Sequence, residues 1–233
     1  MEKKIDKLLF ASCCYAYFIN GMLVLMTSSI LTYLMKDYAL SYQQSGLFVS
    51  IQATGSLVAG LLSGVIMHQL GRKRSMFLVA TLFAVGFGGI IFTSQAMVLY
   101  LLIFLTGLGW GINNNLVNIL GIEASNGNSG YTNILHMSFA VGAFISPLMI
   151  RVFVKWGISW KIPVAIVSMA SMSLFVIFSK MSVGTTSKDV TTKEKLSFNF
   201  LQDPRYYVYM MILFTYVGAE RGLNSWRVFI QQL

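Results

Sequence analysis

The sequence has few charged residues. Only 11% of its 233 residues are charged, 56% are hydrophobic, and the mean hydropathy is +0.68. A soluble domain of this size needs a charged surface, and this chain lacks the residues to make one. The composition therefore excludes an ordinary soluble protein and predicts a protein that is surrounded by lipid.

Cysteine is also scarce. Cys13 and Cys14 are adjacent in the first apolar run, so they form neither a disulfide framework nor a metal site, and we interpret them as packing residues. No Ser/His/Asp set, metal-ligand cluster or phosphate-binding loop occurs at a credible spacing. The sequence therefore predicts no enzyme, no metal site and no cofactor.

Charged residues separate long apolar runs. The interval between Lys7 and Lys36 contains no charge and is long enough to cross a bilayer core of about 30 Å as a helix. Length and the absence of alternating polarity favour helices over barrel strands. The predicted fold class is an all-α, polytopic membrane protein, whose further spans are Gly46–Met67, Ser75–Phe92, Met97–Leu120, Ile134–Phe153 and Ile162–Phe178.

The composition then changes near residue 180. Residues 1–179 are predicted to be a six-helix transmembrane half, and residues 180–205 are a polar, charged linker with a turn cluster. Residues 206–233 begin a seventh helix, interrupted by Glu220 and Arg221. This pattern predicts one half of a larger membrane protein with the start of a truncated second half.

The net charge of +9 is spread between the apolar runs rather than gathered in one patch. Nucleic-acid binding is therefore not expected, and the basic residues instead indicate topology. Most of them lie inside the cell if the amino terminus is cytoplasmic, because the N-terminus, the second-to-third loop and the linker are then internal. We expect a multi-pass protein of the plasma membrane with a cytoplasmic N-terminus.

The loop between the second and third spans carries a recognisable pattern. Gly64, His68, Gly71, Arg72 and Lys73 occupy the key positions of a stretch that resembles the loop signature of the major facilitator superfamily. His68 stands where that family usually has Asp, and Gln69 stands where it usually has a base. The resemblance implies a six-plus-six helix transporter, and the loss of the Asp carboxylate is expected to weaken its charge relay.

Further short stretches of the fourth, fifth and seventh spans are informative together: Gly107–Gly111, Asn113–Asn115, Asn118, Asn133–His136, Gly142–Pro147 and Gly218–Trp226. They resemble the sugar-permease branch that includes fucose permease. This resemblance implies a secondary transporter, a symporter in the manner of that branch, that moves a sugar or similar small polar solute by alternating access.

Polar side chains at membrane depth usually face the bundle interior or a water-filled cavity. Asn114 and Asn118 are four residues apart and share a helix face that Asn115 flanks, so these amides are candidates to line a solute path. Asn133 and His136 are candidates on the fifth helix, with His136 as a hydrogen-bond donor or proton carrier. The alternative for each is a hydrogen bond that only holds helices together.

Further candidates lie elsewhere in the chain. Asn20 in the first span and Gln52 in the second are candidates to line the solute path, and the alternative is that they only pack between helices. Glu220 is a carboxylate in an apolar stretch, with Asn224 on its face, and is a candidate for solute or proton binding. Trp226 suits either stacking on a sugar or anchoring at the interface. The alternative for Glu220 is a charge tolerated at the helix end.

A single six-helix half leaves its cavity face without a partner. We therefore expect the chain to act with a missing C-terminal half or as a homodimer. The expected partners are a small polar solute, such as a sugar, and the lipid bilayer. The alternative is a non-transporting membrane protein or an inactive carrier fragment.

Overall fold

The computed structural model describes residues 5–181, 203–205, 207–212, 215–216 and 219, in two units that divide after Thr185. The described residues contain no strand, and six of their helices are long and apolar enough to cross a membrane. This result confirms the predicted all-α membrane fold. The six helices are α1 (Lys7–Tyr38), α2 (Tyr42–Leu70), α3 (Arg72–Phe92), α4 (Ala96–Ala124), α5 (Ser129–Lys155) and α6 (Lys161–Lys180).

Polar residues at the ends extend several helices beyond the predicted apolar cores. Ser41 and Gln44 form a capping box, each side chain bonding the other residue's backbone N–H, so α2 begins before its apolar run. Asp6 accepts a hydrogen bond from the Leu9 N–H and begins α1 in the same way. Gly71 has φ +78°, a conformation that favours glycine, and it alone separates α2 from α3.

Helices α1 and α5 cross at glycines. A Cβ on Gly21 would overlap the carbonyl oxygen of Phe139, and a Cβ on Gly142 would overlap that of Phe18. The two backbones can therefore approach closely only because both positions lack a side chain.

Helices α2 and α4 make a second crossing of the same kind. A Cβ on Gly55 would lie 2.6 Å from the carbonyl oxygen of Phe104, and Cβ atoms on Gly107 and Gly111 would overlap the carbonyl oxygens of Gln52 and Ser56. Gly107 and Gly111 are one turn apart, so this stripe of α4 is committed to α2. The face that α4 presents to other helices is fixed as a result.

Helices α3 and α6 pack together on the other side of α4. Phe83 and Phe87 of α3 are fully buried, and the Ser168 hydroxyl of α6 donates to the carbonyl oxygen of Ala84 at 3.1 Å. At the opposite ends of α1 and α6, the Trp160 indole N–H donates to the Asp37 carboxylate at 2.7 Å. These contacts hold the outer helices against the core and leave α2 and α5 as the least buried spans.

In the second unit, the described residues between Pro204 and Ala219 are helical. They coincide with the predicted start of the seventh helix.

Candidate functional site

Three consecutive asparagines of α4 have three different surroundings. Asn113 is fully buried, Asn114 is exposed and Asn115 is half-buried. Successive helical residues point about 100° apart, and the glycine stripe fixes which direction meets α2. The same side chain is therefore available for different chemistry at each position.

Asn114 belongs to a polar cluster where α1 and α4 meet. The hydroxyl of Tyr17 lies 3.0 Å from the backbone oxygen of Asn114 and 3.0 Å from its side-chain Oδ1. The side chain of Asn118, one turn further along α4, lies near that hydroxyl. Asn114 and Asn118 thus lie on the same side of α4, as their spacing predicts, next to a residue of α1.

Helix α5 completes this cluster. The ring of His136 meets the ring of Tyr17 edge to face, with centroids 5.6 Å apart and planes at 79°. Phe139 makes a similar contact at 6.1 Å. Asn133 and His136 are both exposed, three residues apart on α5. We call Tyr17, Asn114, Asn118 and His136 the three-helix polar cluster, and Asn133 lies one helical turn from it on α5.

Asn115 lies outside this cluster. Its amide nitrogen donates to the Gly60 carbonyl oxygen at 3.1 Å and to the Ser63 hydroxyl at 2.7 Å, both on α2. Gln52 is similarly engaged, because its amide nitrogen donates to Thr27 at 2.9 Å and to Thr106 at 3.1 Å. Both side chains connect helices, which is the packing alternative considered for them.

Asn20 and Asn113 are also inside the bundle. Both are fully buried, and neither side-chain amide has a hydrogen-bond partner among the described residues. They lie on the neighbouring helices α1 and α4. Neither side chain reaches the exposed side of the three-helix polar cluster.

The junction of α2 and α3, which we call the glycine-basic loop (Gly71, Arg72 and Lys73), forms contacts at the predicted cytoplasmic end. The two terminal guanidinium nitrogens of Arg72, Nη1 and Nη2, donate to the Glu123 carboxylate, with Nη2 and Oε1 2.8 Å apart. This pair connects the start of α3 to the end of α4. The Lys73 ammonium donates to the Ser179 carbonyl oxygen at 2.6 Å, near the end of α6. His68 is exposed, without a hydrogen-bond partner in the described chain, and a Cβ on Gly64 would meet nothing within 4 Å.

Three predicted site residues, Glu220, Asn224 and Trp226, lie outside the described residues.

Tyr17 is the member of the cluster that sequence reasoning missed. It sits in an apolar run beside Tyr15, and nothing in the run separates the two tyrosines. A helical projection offers one signal, because Tyr17 and Asn20 are three residues apart and so lie near each other on α1. The different environments of Tyr15 and Tyr17, however, depend on where α4 packs against α1.

The cluster offers neutral hydrogen-bonding groups. Amides supply donors and acceptors, and neutral imidazole supplies one of each, which suits a solute rich in hydroxyl groups. Among residues 5–181 and the described part of the second unit, no group of three His, Cys, Asp or Glu side chains is placed to hold a metal ion.

Comparison with known proteins gives the family. The family model of the Major Facilitator Superfamily matches residues 13–232. Bypass of stop codon protein 6 of Saccharomyces cerevisiae is 26% identical over 94% of this chain and 50% of its own length. Sugar transporter ERD6-like 6 of Arabidopsis thaliana is 30% identical over 53% of this chain and 26% of its own length.

The glucose/mannose transporter GlcP of Bacillus subtilis is 23% identical over 64% of this chain and 37% of its own length. The chain thus spans about half, or less, of the length of these relatives. The family match covers most of the chain, and it agrees with the six apolar helices and the glycine-basic loop. The chain belongs to the Major Facilitator Superfamily, a family of membrane transporters and not of enzymes.

Proposed function

We propose that this chain is the N-terminal part of a secondary transporter that moves a sugar or similar small polar solute by alternating access. The observation that carries the proposal is the three-helix polar cluster, in which neutral donors and acceptors from α1, α4 and α5 converge within a membrane-spanning bundle. Uncompensated polar groups are costly in lipid, so exposed amides there indicate contact with a solute or water.

Asn114, Asn118, Asn133 and His136 are the proposed solute-contacting residues. Asn114, Asn133 and His136 are exposed, so their hydrogen-bonding groups are accessible to a ligand. One relative is named as a sugar transporter, and another is named as a glucose/mannose transporter. The fucose permease-like branch and symport remain parts of this proposal, with His136 as the candidate proton carrier.

The proposed organisation follows the charge pattern of the sequence. Residues 1–179 form one transmembrane half, residues 180–205 a cytoplasmic linker and residues 206–233 the start of the second half. The N-terminus and the Arg72–Glu123 pair lie on the cytoplasmic side of the plasma membrane. The cavity face is completed by a C-terminal half or, alternatively, by a second copy of the chain.

A second candidate is a membrane protein that kept the fold without transport. The packing roles of Asn115 and Gln52 favour it, because several of the polar groups at membrane depth are used to join helices. The two candidates differ in what Asn114 does.

Uptake of labelled D-glucose, D-mannose and L-fucose would test the proposal. Cells of a host that lacks its own uptake systems for these sugars would express the chain alone, or with the reading frame directly downstream. We expect saturable uptake in at least one arrangement, and its loss in Asn114→Ala at an unchanged membrane level. Asn115→Ala is the matched control, because it removes the same amide from the α2 side.

No uptake of any sugar in either arrangement, with normal membrane level, would contradict the transport proposal. Uptake that survives Asn114→Ala and His136→Gln unchanged would remove these residues from the solute path. Uptake that is independent of external pH would contradict the proton-coupled form of the proposal.

A further inference from the structure

The hydroxyl of Tyr17 is the polar centre of the three-helix cluster. Tyr17 is buried in an apolar stretch of α1, and its ring is held between α1 and α5 by His136 and Phe139. The ring contacts fix where the hydroxyl points, namely at Asn114 of α4. One side chain therefore joins three helices at the proposed solute site.

The side-chain oxygen of Asn114 faces that hydroxyl. A tyrosine hydroxyl has a single hydrogen to donate, and here the backbone oxygen and the Oδ1 of Asn114 both lie 3.0 Å from it. The Oδ1 is thus turned towards α1. The amide nitrogen of Asn114 is on the other branch of the side chain and has no acceptor among the described residues.

We propose that Tyr17 is a positioning residue, whose hydroxyl turns Asn114 so that its amide N–H donors face the solute. This inference rests on the proposed transport function and deepens it. The site then selects a solute oxygen that acts as a hydrogen-bond acceptor at this point. Without the tyrosine hydroxyl, the amide can flip and present its oxygen instead, and the preference disappears.

Helix α1 supplies a matched control. Tyr15 is two residues from Tyr17, and its hydroxyl lies 2.7 Å from the Ser173 hydroxyl of α6. Tyr15→Phe therefore removes the same atom from the same helix, but at a packing contact away from α4. An effect that is specific to Tyr17 cannot be attributed to the loss of any buried tyrosine hydroxyl.

The first measurement needs no solute. Thermal unfolding of the purified full chain in detergent would compare Tyr17→Phe, Asn114→Ala and the double variant. We expect the double variant to lose less stability than the two single losses combined, because both variants remove the bond to Oδ1, whereas only Tyr17→Phe also removes the bond to the Asn114 backbone oxygen. Tyr15→Phe combined with Asn114→Ala should be additive. Additive losses for Tyr17 as well would overturn the proposed contact.

The second measurement reads selectivity. Competition of D-glucose uptake by deoxyglucoses and fluorodeoxyglucoses would be measured in the arrangement that transports. Fluorine keeps an acceptor where the deoxy position has none, so at one position the fluoro analogue should compete better. Tyr17→Phe should abolish that difference and raise the KM about fivefold, as expected for one lost hydrogen bond, with little change in maximal rate.

Retention of the analogue preference in Tyr17→Phe, with a profile like that of Tyr15→Phe, would overturn the inference and leave the transport proposal intact. Absence of uptake in the unmodified chain would overturn the transport proposal and the claimed selectivity with it. The unfolding experiment would still decide the Tyr17–Asn114 contact in that case, so the two failures are distinguishable.

Discussion

The two sides of α4 differ in what surrounds the same residue type. On one side Gly107, Gly111 and Asn115 pack against α2, and the Asn115 amide nitrogen donates both of its hydrogen bonds to that helix. On the other side Asn114 is exposed and bonded through Tyr17 to α1. The difference teaches that an asparagine run at membrane depth is not one site, because successive helical residues point about 100° apart and meet different neighbours.

The side of α4 that packs against α2 should be the most sensitive to added side-chain volume. Gly111→Ala would place a Cβ against the Ser56 carbonyl oxygen of α2, so the helices must separate and polar contacts are lost. We expect a destabilisation of about 2 kcal/mol or more, seen as a marked loss of folded protein in detergent by size-exclusion chromatography. Gly60→Ala, whose Cβ meets nothing within 4 Å, is the control and should be well tolerated.

The protein should also lose stability when the Asn115 amide, which faces α2, is removed. Asn115→Ala deletes the bonds to Gly60 and Ser63, and membrane helix–helix hydrogen bonds contribute about 0.6 kcal/mol on average. A destabilisation on the order of 1 kcal/mol is therefore expected in reversible unfolding. Unchanged stability together with lost uptake would indicate that Asn115 contacts the solute and does not hold α4 to α2. It would then not differ from Asn114 as described above.

The buried member of the run should respond in the opposite direction. Asn113 has two polar side-chain atoms without a partner in the described chain, and leucine has the same branched arrangement of side-chain heavy atoms. Asn113→Leu is expected to raise stability by about 1 kcal/mol, because an unsatisfied buried amide is replaced by an apolar group. Asn115→Leu provides the contrast and should lower it. A destabilised Asn113→Leu protein would indicate that this amide does have a required partner.

The smallest effect is expected at the cytoplasmic end of α4. Arg72 and Glu123 are partly exposed, with side chains 26% and 47% accessible, so solvent screens their attraction. Glu123→Gln should cost about 0.5 kcal/mol in low salt and less in high salt. Exchanging the two residues, Arg72→Glu with Glu123→Arg, should recover part of that stability in a thermal melt, and no recovery would argue against the pair.

Much of the fold followed from the sequence because hydropathy is a local property. The interval between Lys7 and Lys36 predicts α1 almost to its ends, and Gly71 predicts the break between α2 and α3. The helix ends were less well predicted, because caps such as Ser41 extend a helix into polar sequence.

The candidate site was only partly predictable. Helical spacing brings Asn114 and Asn118 to one face, and the structure places the Tyr17 hydroxyl 3.0 Å from the Oδ1 of Asn114 and near Asn118. The partner of Asn115 was not predictable, because it depends on which face of α4 the glycines turn towards α2. The pairing of Arg72 with Glu123 joins positions 51 residues apart, beyond the reach of any local pattern.

Cysteine accessibility tests the central claim most directly. Asn114→Cys and Asn115→Cys would each be made with Cys13→Ala and Cys14→Ala, and labelled in membranes with a hydrophilic thiol reagent. We predict rapid labelling at position 114 and protection at position 115. Equal labelling, or faster labelling at position 115, would contradict the assignment of these neighbouring asparagines to different surroundings on α4.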